Sequence, residues 1–315
     1  MTDSSAVRAI GLGLAALGRP GYLTVGHGRD FASGATVDAL RARTHELLDF
    51  AWDAGVRYID AARSYGLAER FLGEWLAARP GRRDALIIGS KWGYTYTGDW
   101  QIDADVHEVK DHSVATFERQ WTQTQDALGG PPDIYLVHSL TSDSPVLDDS
   151  GLIGHLTGLA EEGVIVGFST SGPDQSDVID RALAMADDVP FRAVQTTWNV
   201  LEPSAGPALA RAHHAGWFVV AKEAVANGRL TDRGDVPRFQ AAAQSAGLSP
   251  DVLAIATAVH QPFVDITLSG AATIDQLRSN LDAATVGSDI VHDLPAGLAE
   301  NPDDYWSTRS DLPWT

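Results

Sequence analysis

The chain has 315 residues, 44% of them hydrophobic, a net charge of −19 and no cysteine. This acidity disfavours binding to phosphate backbones and anionic lipid, so we expect no nucleic-acid and no membrane partner. The lack of cysteine excludes disulfides, thiolate metal sites and a cysteine nucleophile. The N-terminus has no signal-peptide pattern, and no apolar run approaches the roughly 18 residues of a membrane span, which together predict a cytoplasmic protein.

Short apolar strands alternate with longer amphipathic stretches along the chain. The candidate strands are Arg8–Leu12, Val56–Asp60, Leu86–Lys91, Asp133–His138, Val164–Ser169, Ala193–Thr197, Trp217–Lys222 and Val264–Ser269. The candidate helices, with apolar residues about 3.6 positions apart, are Leu40–Ala54, Ala68–Ala78, His112–Leu128, Gly151–Glu161, Ser176–Ala186, Ser204–His214, Pro250–His260 and Thr273–Ala284. This strict alternation predicts parallel strands in an α/β fold, a single (β/α)8 TIM barrel over residues 1–315.

Three long connections follow predicted strands, so they should lie on the catalytic face of the barrel. They are Gly18–Val37, Trp92–Lys110 and Glu223–Ser245. The C-terminal tail, residues 287–315, is expected to lie over or beside the same face.

Four polar residues come at or just after the ends of predicted strands: Asp60, Tyr65, Lys91 and His138. In a parallel barrel these strand ends meet on one face, which would gather the four side chains into one site. A nearby ammonium lowers the pKa of a phenol, a carboxylate neutralises that ammonium, and an imidazole can orient a carbonyl oxygen. Because no side chain donates a hydride, this proton-transfer chemistry implies a nicotinamide cofactor.

In these residues the chain resembles the aldo-keto reductase superfamily, over nearly its whole length. The Asp-x4-Tyr-Gly signature is met by Asp60, Tyr65 and Gly66, and the family lysine and histidine match Lys91 and His138. The resemblance implies that Tyr65 is the general acid in reduction and the general base in oxidation. It also implies that Lys91 and Asp60 tune Tyr65 and that His138 positions the carbonyl.

The resemblance further implies a set of cofactor contacts. Ser169 and Gln195 match residues that bind the nicotinamide carboxamide, with Thr170 in place of a family asparagine. Lys222 takes the position of an aromatic ring that usually stacks on nicotinamide. The other matching positions, after the seventh and eighth strands, are Gly228, Leu230, Gly270, Gln276 and Asn280.

Cofactor choice depends on the group that reads the 2′-phosphate. NADPH is the family expectation. However, Gln276 occupies the usual arginine position, and without a bidentate cation the 2′-phosphate loses its strongest interaction, so NADH is the alternative.

Aromatic residues near the predicted strand ends suggest the walls of a substrate pocket: Tyr22, Trp92 and Tyr94. No metal site is expected, because no carboxylate or cysteine cluster completes the histidine pairs. We expect these histidines, His107, His112, His213 and His214, at the surface.

The sequence thus predicts an NAD(P)(H)-dependent oxidoreductase that interconverts a small-molecule carbonyl and an alcohol. Tyr65-Gly-Leu-Ala-Glu69 resembles the branch that converts aldoses to lactones, so an aldose 1-dehydrogenase is one specific alternative and a natural-product ketoreductase is another. The alternative from a different class is a nicotinamide-binding regulatory subunit with little turnover. A monomer and a homo-oligomer are both compatible with the family.

Overall fold

A computed structural model describes residues 7–19, 36–101, 105–292 and 294–312. Its strands are β1 (Ile10–Gly13), β2 (Tyr58–Asp60), β3 (Ile87–Trp92), β4 (Tyr94–Tyr96), β5 (Glu108–Lys110), β6 (Ile134–Leu140), β7 (Ile165–Thr170), β8 (Ala193–Thr197), β9 (Phe218–Lys222) and β10 (Ile266–Ser269). Eight of them close into a parallel barrel in the order β1-β2-β3-β6-β7-β8-β9-β10, with β10 paired to β1. The predicted (β/α)8 barrel is confirmed.

The helices around the barrel are α1 (Val37–Ala54), α2 (Ala68–Ala77), α3 (Val114–Leu128), α4 (Ser150–Glu161), α5 (Gln175–Ala184), α6 (Gly206–His214), α7 (Pro237–Ser245), α8 (Pro250–Val259), α9 (Ile274–Asp282), α10 (Ser288–His292) and α11 (Pro302–Ser310). Short 3-10 turns cover Arg83–Ala85, Pro145–Leu147, Ala226–Gly228 and Ala283–Thr285. The eight predicted helices are all present, with ends shifted by up to three residues. None of the helices in the described residues is long and apolar enough to span a membrane.

Local signals explain where α1 begins and ends. The Thr36 side chain accepts a hydrogen bond from the Ala39 backbone N–H at 3.2 Å, which caps the first turn. Gly55 ends the helix at φ +100°, a left-handed conformation that glycine adopts without a steric penalty. The chain then enters β2 directly, so this short connection places the strand that carries Asp60.

The sequence analysis did not predict two strands and three helices of the structure. The long connection after β3 contains the antiparallel hairpin β4–β5, and the connection after β9 contains α7. Only Phe239 and Ala243 of α7 are buried, so its apolar stripe is too weak to be read from the sequence. The tail contains α10 and α11.

The tail is held against the barrel by apolar contacts and by a hydrogen bond. Tyr305 and Trp306 of α11 are buried in a cluster that includes Leu230 and Phe239. The Asn199 side chain donates to the Tyr305 hydroxyl at 3.0 Å. These contacts place one end of α11 near the carboxyl ends of β8 and β9.

Candidate active site

The alternation of side chains along the barrel strands explains why the polar residues of the site point into the barrel mouth. A small cluster of buried side chains fills the barrel interior, and Tyr58, Leu136, Ala193 and Val220 belong to it. In a strand the side chain two positions further on points to the same face. The residues two positions beyond these four are Asp60, His138, Gln195 and Lys222, so all four enter the mouth of the barrel.

Lys91 binds three oxygen atoms at the base of this mouth. Its Nζ donates to Asp60 Oδ2 at 2.6 Å, to the Ala61 carbonyl at 2.9 Å and to the Tyr65 hydroxyl at 3.2 Å. The Lys91 side chain is 0% exposed, and Gln195 Nε2 donates to the other Asp60 oxygen at 2.7 Å. The buried ion pair is therefore fully hydrogen-bonded and holds the phenol in place.

The Tyr65 phenol stays protonated at neutral pH. Burial raises its pKa well above 10, and the negative charge of Asp60 raises it further, while Arg19 opposes the shift. The expectation that a nearby ammonium would lower this pKa is wrong for this structure, because burial and the Asp60 charge raise it instead. Tyr65 is consequently poised as a proton donor.

His138 lies at an irregularity in β6, where the register shifts between Val137 and Leu140. Ser139 has φ +54°, and its N–H donates to Ser169 Oγ at 2.8 Å. The His138 ring meets the Tyr65 ring edge-on, with centroids 5.6 Å apart. Burial and the positive charge of Lys91 lower the pKa of His138 well below 6.5, so the imidazole is neutral.

His112 contacts the backbone of His138. The prediction that His112 lies at the surface is wrong. It is buried, its Nε2 lies 2.9 Å from the His138 carbonyl oxygen, and its Nδ1 lies 2.7 Å from Ser144 Oγ. Burial lowers its pKa to about 4, so it too is uncharged near neutral pH. We infer that His112 fixes the backbone at the irregularity that presents His138.

The turn that carries Tyr65 is braced from two sides. Gly66 has φ +60°, and a Cβ there would lie 2.3 Å from the Gly18 carbonyl oxygen, so only glycine fits. The buried Glu69 carboxylate pairs with Arg63 and accepts from Ser90 Oγ at 2.5 Å. Because Ser90 precedes Lys91, Glu69 links the Tyr65 turn to the strand that carries the lysine.

A cleft of about 620 Å³ opens above these residues. At the catalytic end it is lined by the predicted residues Asp60, Tyr65, Tyr94, His138, Gln195 and Lys222. It continues to a far end lined by the predicted residues Gly228, Gly270, Gln276 and Asn280. One continuous cleft thus joins the proton-transfer residues to the segments after β9 and β10.

Several predicted residues do not line the cleft. Trp92 is fully buried against His112 and Phe117, because the alternation that points Lys91 into the barrel points Trp92 outward. Thr170 also points outward, with its Oγ1 3.0 Å from Thr196 Oγ1.

Two predicted cofactor residues, Ser169 and Leu230, also lie outside the cleft lining. Ser169 is buried behind the wall and binds Ser139, while Ser171 reaches the cleft. Leu230 is part of the apolar cluster under α11. Tyr22 lies outside the described residues.

Lys222 forms an ionic cluster with two neighbours at the catalytic end. Its Nζ donates to Thr197 Oγ1 at 2.8 Å and lies 3.6 Å from Glu223 Oε1. Glu223 in turn accepts from the Arg309 guanidinium of α11, at 2.6 Å for the shortest contact. Burial lowers the pKa of Lys222 to about 8. Burial raises the pKa of Glu223, but the positive charges of Arg309 and Lys222 outweigh this effect and lower it to about 2. The cluster carries one net positive charge at neutral pH.

Arg19 was missed because its partners are distant in sequence. It forms an ion pair with Glu108 of β5, donates to the Ser64 carbonyl at 3.1 Å and lies 5.8 Å from the centre of the Tyr65 ring. Arg19 thus ties the hairpin β4–β5 to the Tyr65 turn. Among the described residues, no group of three or more histidine, cysteine or carboxylate side chains is arranged to hold a metal ion.

The chain that carries this buried Asp–Lys pair, tyrosine and neutral histidine is similar to known proteins. The model of the aldo/keto reductase family matches residues 9–290, and the chain belongs to that family. A solved aldo-keto reductase from Bacillus halodurans, in its holo form, has the same fold, with a TM-score of 0.71, 21% identity and coverage of 93% of this chain and 92% of that chain.

Two of the curated relatives are named as dehydrogenases. The pyridoxal 4-dehydrogenase of Microbacterium luteolum is 30% identical over 204 residues, which cover 55% of this chain and 58% of that protein. The D-threo-aldose 1-dehydrogenase of a Pseudomonas species is 27% identical over 157 residues, which cover 45% of this chain and 47% of that protein. The chain therefore matches about half the length of these relatives.

Proposed function

We propose that the protein is a nicotinamide-dependent oxidoreductase that interconverts a carbonyl and an alcohol. The observation that carries the proposal is the Tyr65 hydroxyl, held 3.2 Å from Lys91 Nζ and facing an open cleft beside His138. A phenol in this setting can exchange a proton with an oxygen atom of a bound substrate.

The shape of the cleft supports a dinucleotide cofactor. It continues from Tyr65 past Asn227 and Gly228 to Gly270 and Asn280, and its volume lies in the usual range for cofactor sites. A Cβ at Gly270 would meet no atom within 4 Å, so the wall there is open. When bound, the nicotinamide ring supplies or accepts the hydride that no side chain can carry.

The residues of the barrel mouth divide the remaining work. In reduction, Tyr65 donates its proton to the substrate oxygen, and the Lys91 ammonium stabilises the phenolate left behind. Asp60 holds that ammonium in place at 2.6 Å. The neutral ring of His138 is placed to hydrogen-bond the substrate oxygen and to orient it. In oxidation the same groups act in reverse.

A sugar or another hydroxy-aldehyde is the substrate class that we favour. Two of the curated relatives are a pyridoxal 4-dehydrogenase and a D-threo-aldose 1-dehydrogenase. The catalytic end of the cleft combines polar groups with the ring of Tyr94, whose centroid lies 5.0 Å from that of His138. Such a mixed wall suits a small polar substrate with one apolar face.

An absorbance assay of the reduced cofactor tests the proposal. We expect a decrease with some members of a panel of aldehydes, and an increase with oxidised cofactor and some aldoses. A protein that binds the cofactor tightly, yet turns over no member of either panel, would instead be a nicotinamide-binding regulatory subunit.

Lys222 should make the affinity for oxidised cofactor depend on pH. Its pKa of about 8 lies below that of an ordinary lysine, so the ammonium is present below this pH and is lost above it. The oxidised nicotinamide ring is positively charged and the reduced ring is neutral. We therefore expect the affinity for NAD⁺ to rise roughly tenfold between about pH 6.5 and about pH 9.5, while the affinity for NADH changes little.

Titration of tryptophan fluorescence at the two pH values measures this effect. Lys222→Met should bind NAD⁺ equally well at both. Lys110→Met, which removes an exposed lysine outside the cleft lining, is the control and should keep the native pH dependence. If the native protein shows the same ratio of NAD⁺ to NADH affinity at both pH values, Lys222 does not act on the ring.

A further inference from the structure

The far end of the cleft is lined by carboxylates and neutral polar groups. Asp251 Oδ2 accepts from Ser279 Oγ at 2.7 Å. The Asn280 amide, in the orientation that satisfies both of its atoms, donates to the same Asp251 oxygen at 3.0 Å and accepts from Ser269 Oγ at 2.8 Å. Asp275, in the first turn of α9, also faces the cleft. We call Asp251, Asp275, Ser279 and Asn280 the acidic end.

The basic residue of α9, Arg278, pairs with a carboxylate of this end but does not line the cleft. Arg278 Nη1 binds Asp275 Oδ1 at 2.6 Å, and its guanidinium lies 5.2 Å from the centre of the Phe50 ring, with the side chain 58% exposed. It is not among the residues that line the cleft.

Position 276, where the family usually has an arginine, carries the uncharged Gln276. Gln276 Oε1 accepts from the Ala272 backbone N–H at 2.8 Å, so its amide closes the turn into α9. Ala272 itself contributes only a methyl group to the wall.

The basic side chains that line the cleft, within the part of the chain that the structure describes, are concentrated elsewhere. Arg19, Lys222 and Arg309 belong to the catalytic end, where each contacts a carboxylate. Arg233, in the loop after β9, also lines the cleft and follows Asp232, another lining residue. Asp275 is paired with Arg278, so Asp251 is the carboxylate of the acidic end that has no ion pair within the described residues.

The start of α9 would otherwise be a favourable place for an anion. A helix N-terminus attracts phosphate through its free N–H groups. Here Thr273 Oγ1 already accepts from the Gln276 N–H at 3.2 Å, and the Asp275 carboxylate already occupies the first turn. A phosphate at this point would meet two carboxylates, whereas a sugar hydroxyl could donate a hydrogen bond to either of them.

We propose that the acidic end selects a dinucleotide with a free 2′-hydroxyl on its adenosine ribose, so that the protein uses NAD(H) in preference to NADP(H). Asp251 and Asp275 are the residues that reject the 2′-phosphate. The inference rests on the proposed function, because the hydride-donating ring must lie beside Tyr65 and the cleft continues from there to the acidic end. It departs from the NADPH expectation of the family.

The test is direct binding of NADH and NADPH to the purified protein, followed by tryptophan fluorescence. We expect the dissociation constant for NADPH to be at least about tenfold larger than that for NADH, since the Asp251 carboxylate repels the phosphate and Asp275, which Arg278 partly neutralises, adds a weaker repulsion. Asp275→Asn, at an exposed position, and Asp251→Asn, which keeps one acceptor oxygen for Ser279 and Asn280, should each strengthen NADPH binding. The two changes should affect NADH binding less than NADPH binding, because each asparagine keeps an oxygen that can accept from the ribose hydroxyl.

Asp282→Asn, at an exposed carboxylate on the other end of α9, is the matched control and should change neither constant. Equal or tighter binding of NADPH would overturn the inference and leave the proposed function intact. In that case loss of NADPH affinity in Arg233→Gln would identify the cation that reads the phosphate. Failure of both cofactors to bind would overturn the proposed function itself.

Discussion

Replacement of Tyr65 by phenylalanine should lower kcat by a factor of about 10² to 10⁴, the usual contribution of a positioned proton donor. The hydroxyl is the atom that we expect to exchange a proton with the substrate, and its hydrogen bond to Lys91 is the single one described for it. The phenyl ring would keep its contacts with the His138 and Arg19 side chains. Cofactor affinity and thermal stability should therefore stay close to those of the native protein.

Rates with a saturating aldehyde, together with cofactor titrations and melting curves, separate these effects. Tyr94→Phe is a matched control, because it removes a phenol from the same cleft without touching the Lys91 network. It should retain kcat within about tenfold. Native kcat in Tyr65→Phe would remove Tyr65 from the mechanism, and loss of cofactor binding would mean that the ring has a structural role.

Replacement of Lys91 by methionine should have the largest effect on stability. Lys91 is fully buried, and its loss leaves the Asp60 carboxylate in the barrel mouth with only the Gln195 amide as a described side-chain partner. Breaking a buried pair by removing one partner costs about 3–5 kcal/mol, because an uncompensated charge remains. The free energy of unfolding, from urea titrations, should fall by that amount, and activity should be lost as well.

A second variant distinguishes charge from packing. Adding Asp60→Asn to Lys91→Met removes the buried charge, so most of the lost stability should return while activity stays absent. If the double variant is as unstable as Lys91→Met, the loss comes from packing around the lysine stem. If Lys91→Met is as stable as the native protein, the ion pair does not have the role described above.

The barrel and its polar mouth could be predicted because both depend on local patterns. Alternating strands and helices predict the fold. A polar residue at the carboxyl end of an apolar strand predicts that its side chain belongs to the site on that face of the barrel. The same alternation, applied one residue further, would have corrected Trp92 and Thr170: each follows a residue that is directed inward or toward the cleft wall, so each points outward. Trp92 and Thr170 are adjacent in sequence to Lys91 and Ser169, but their side chains lie on the opposite side of the strand.

The rest of the site depends on contacts between distant segments. Arg19 acquires its role from Glu108 across 89 positions, and Arg309 from Glu223 across 86 positions. His112 is buried because it bonds to the backbone of β6. Neither composition nor periodicity reports such pairings, which require the folded barrel and the packing of α11.

The central claim is that a hydride moves between nicotinamide and a carbonyl carbon while Tyr65 moves the proton. Reduced cofactor deuterated at the transferred position, incubated with an aldehyde that the protein reduces, tests it directly by mass spectrometry of the alcohol. We predict one deuterium on the former carbonyl carbon with the native protein and almost no labelled alcohol with Tyr65→Phe. Alcohol formed without deuterium, or formed equally fast by Tyr65→Phe, would contradict the account.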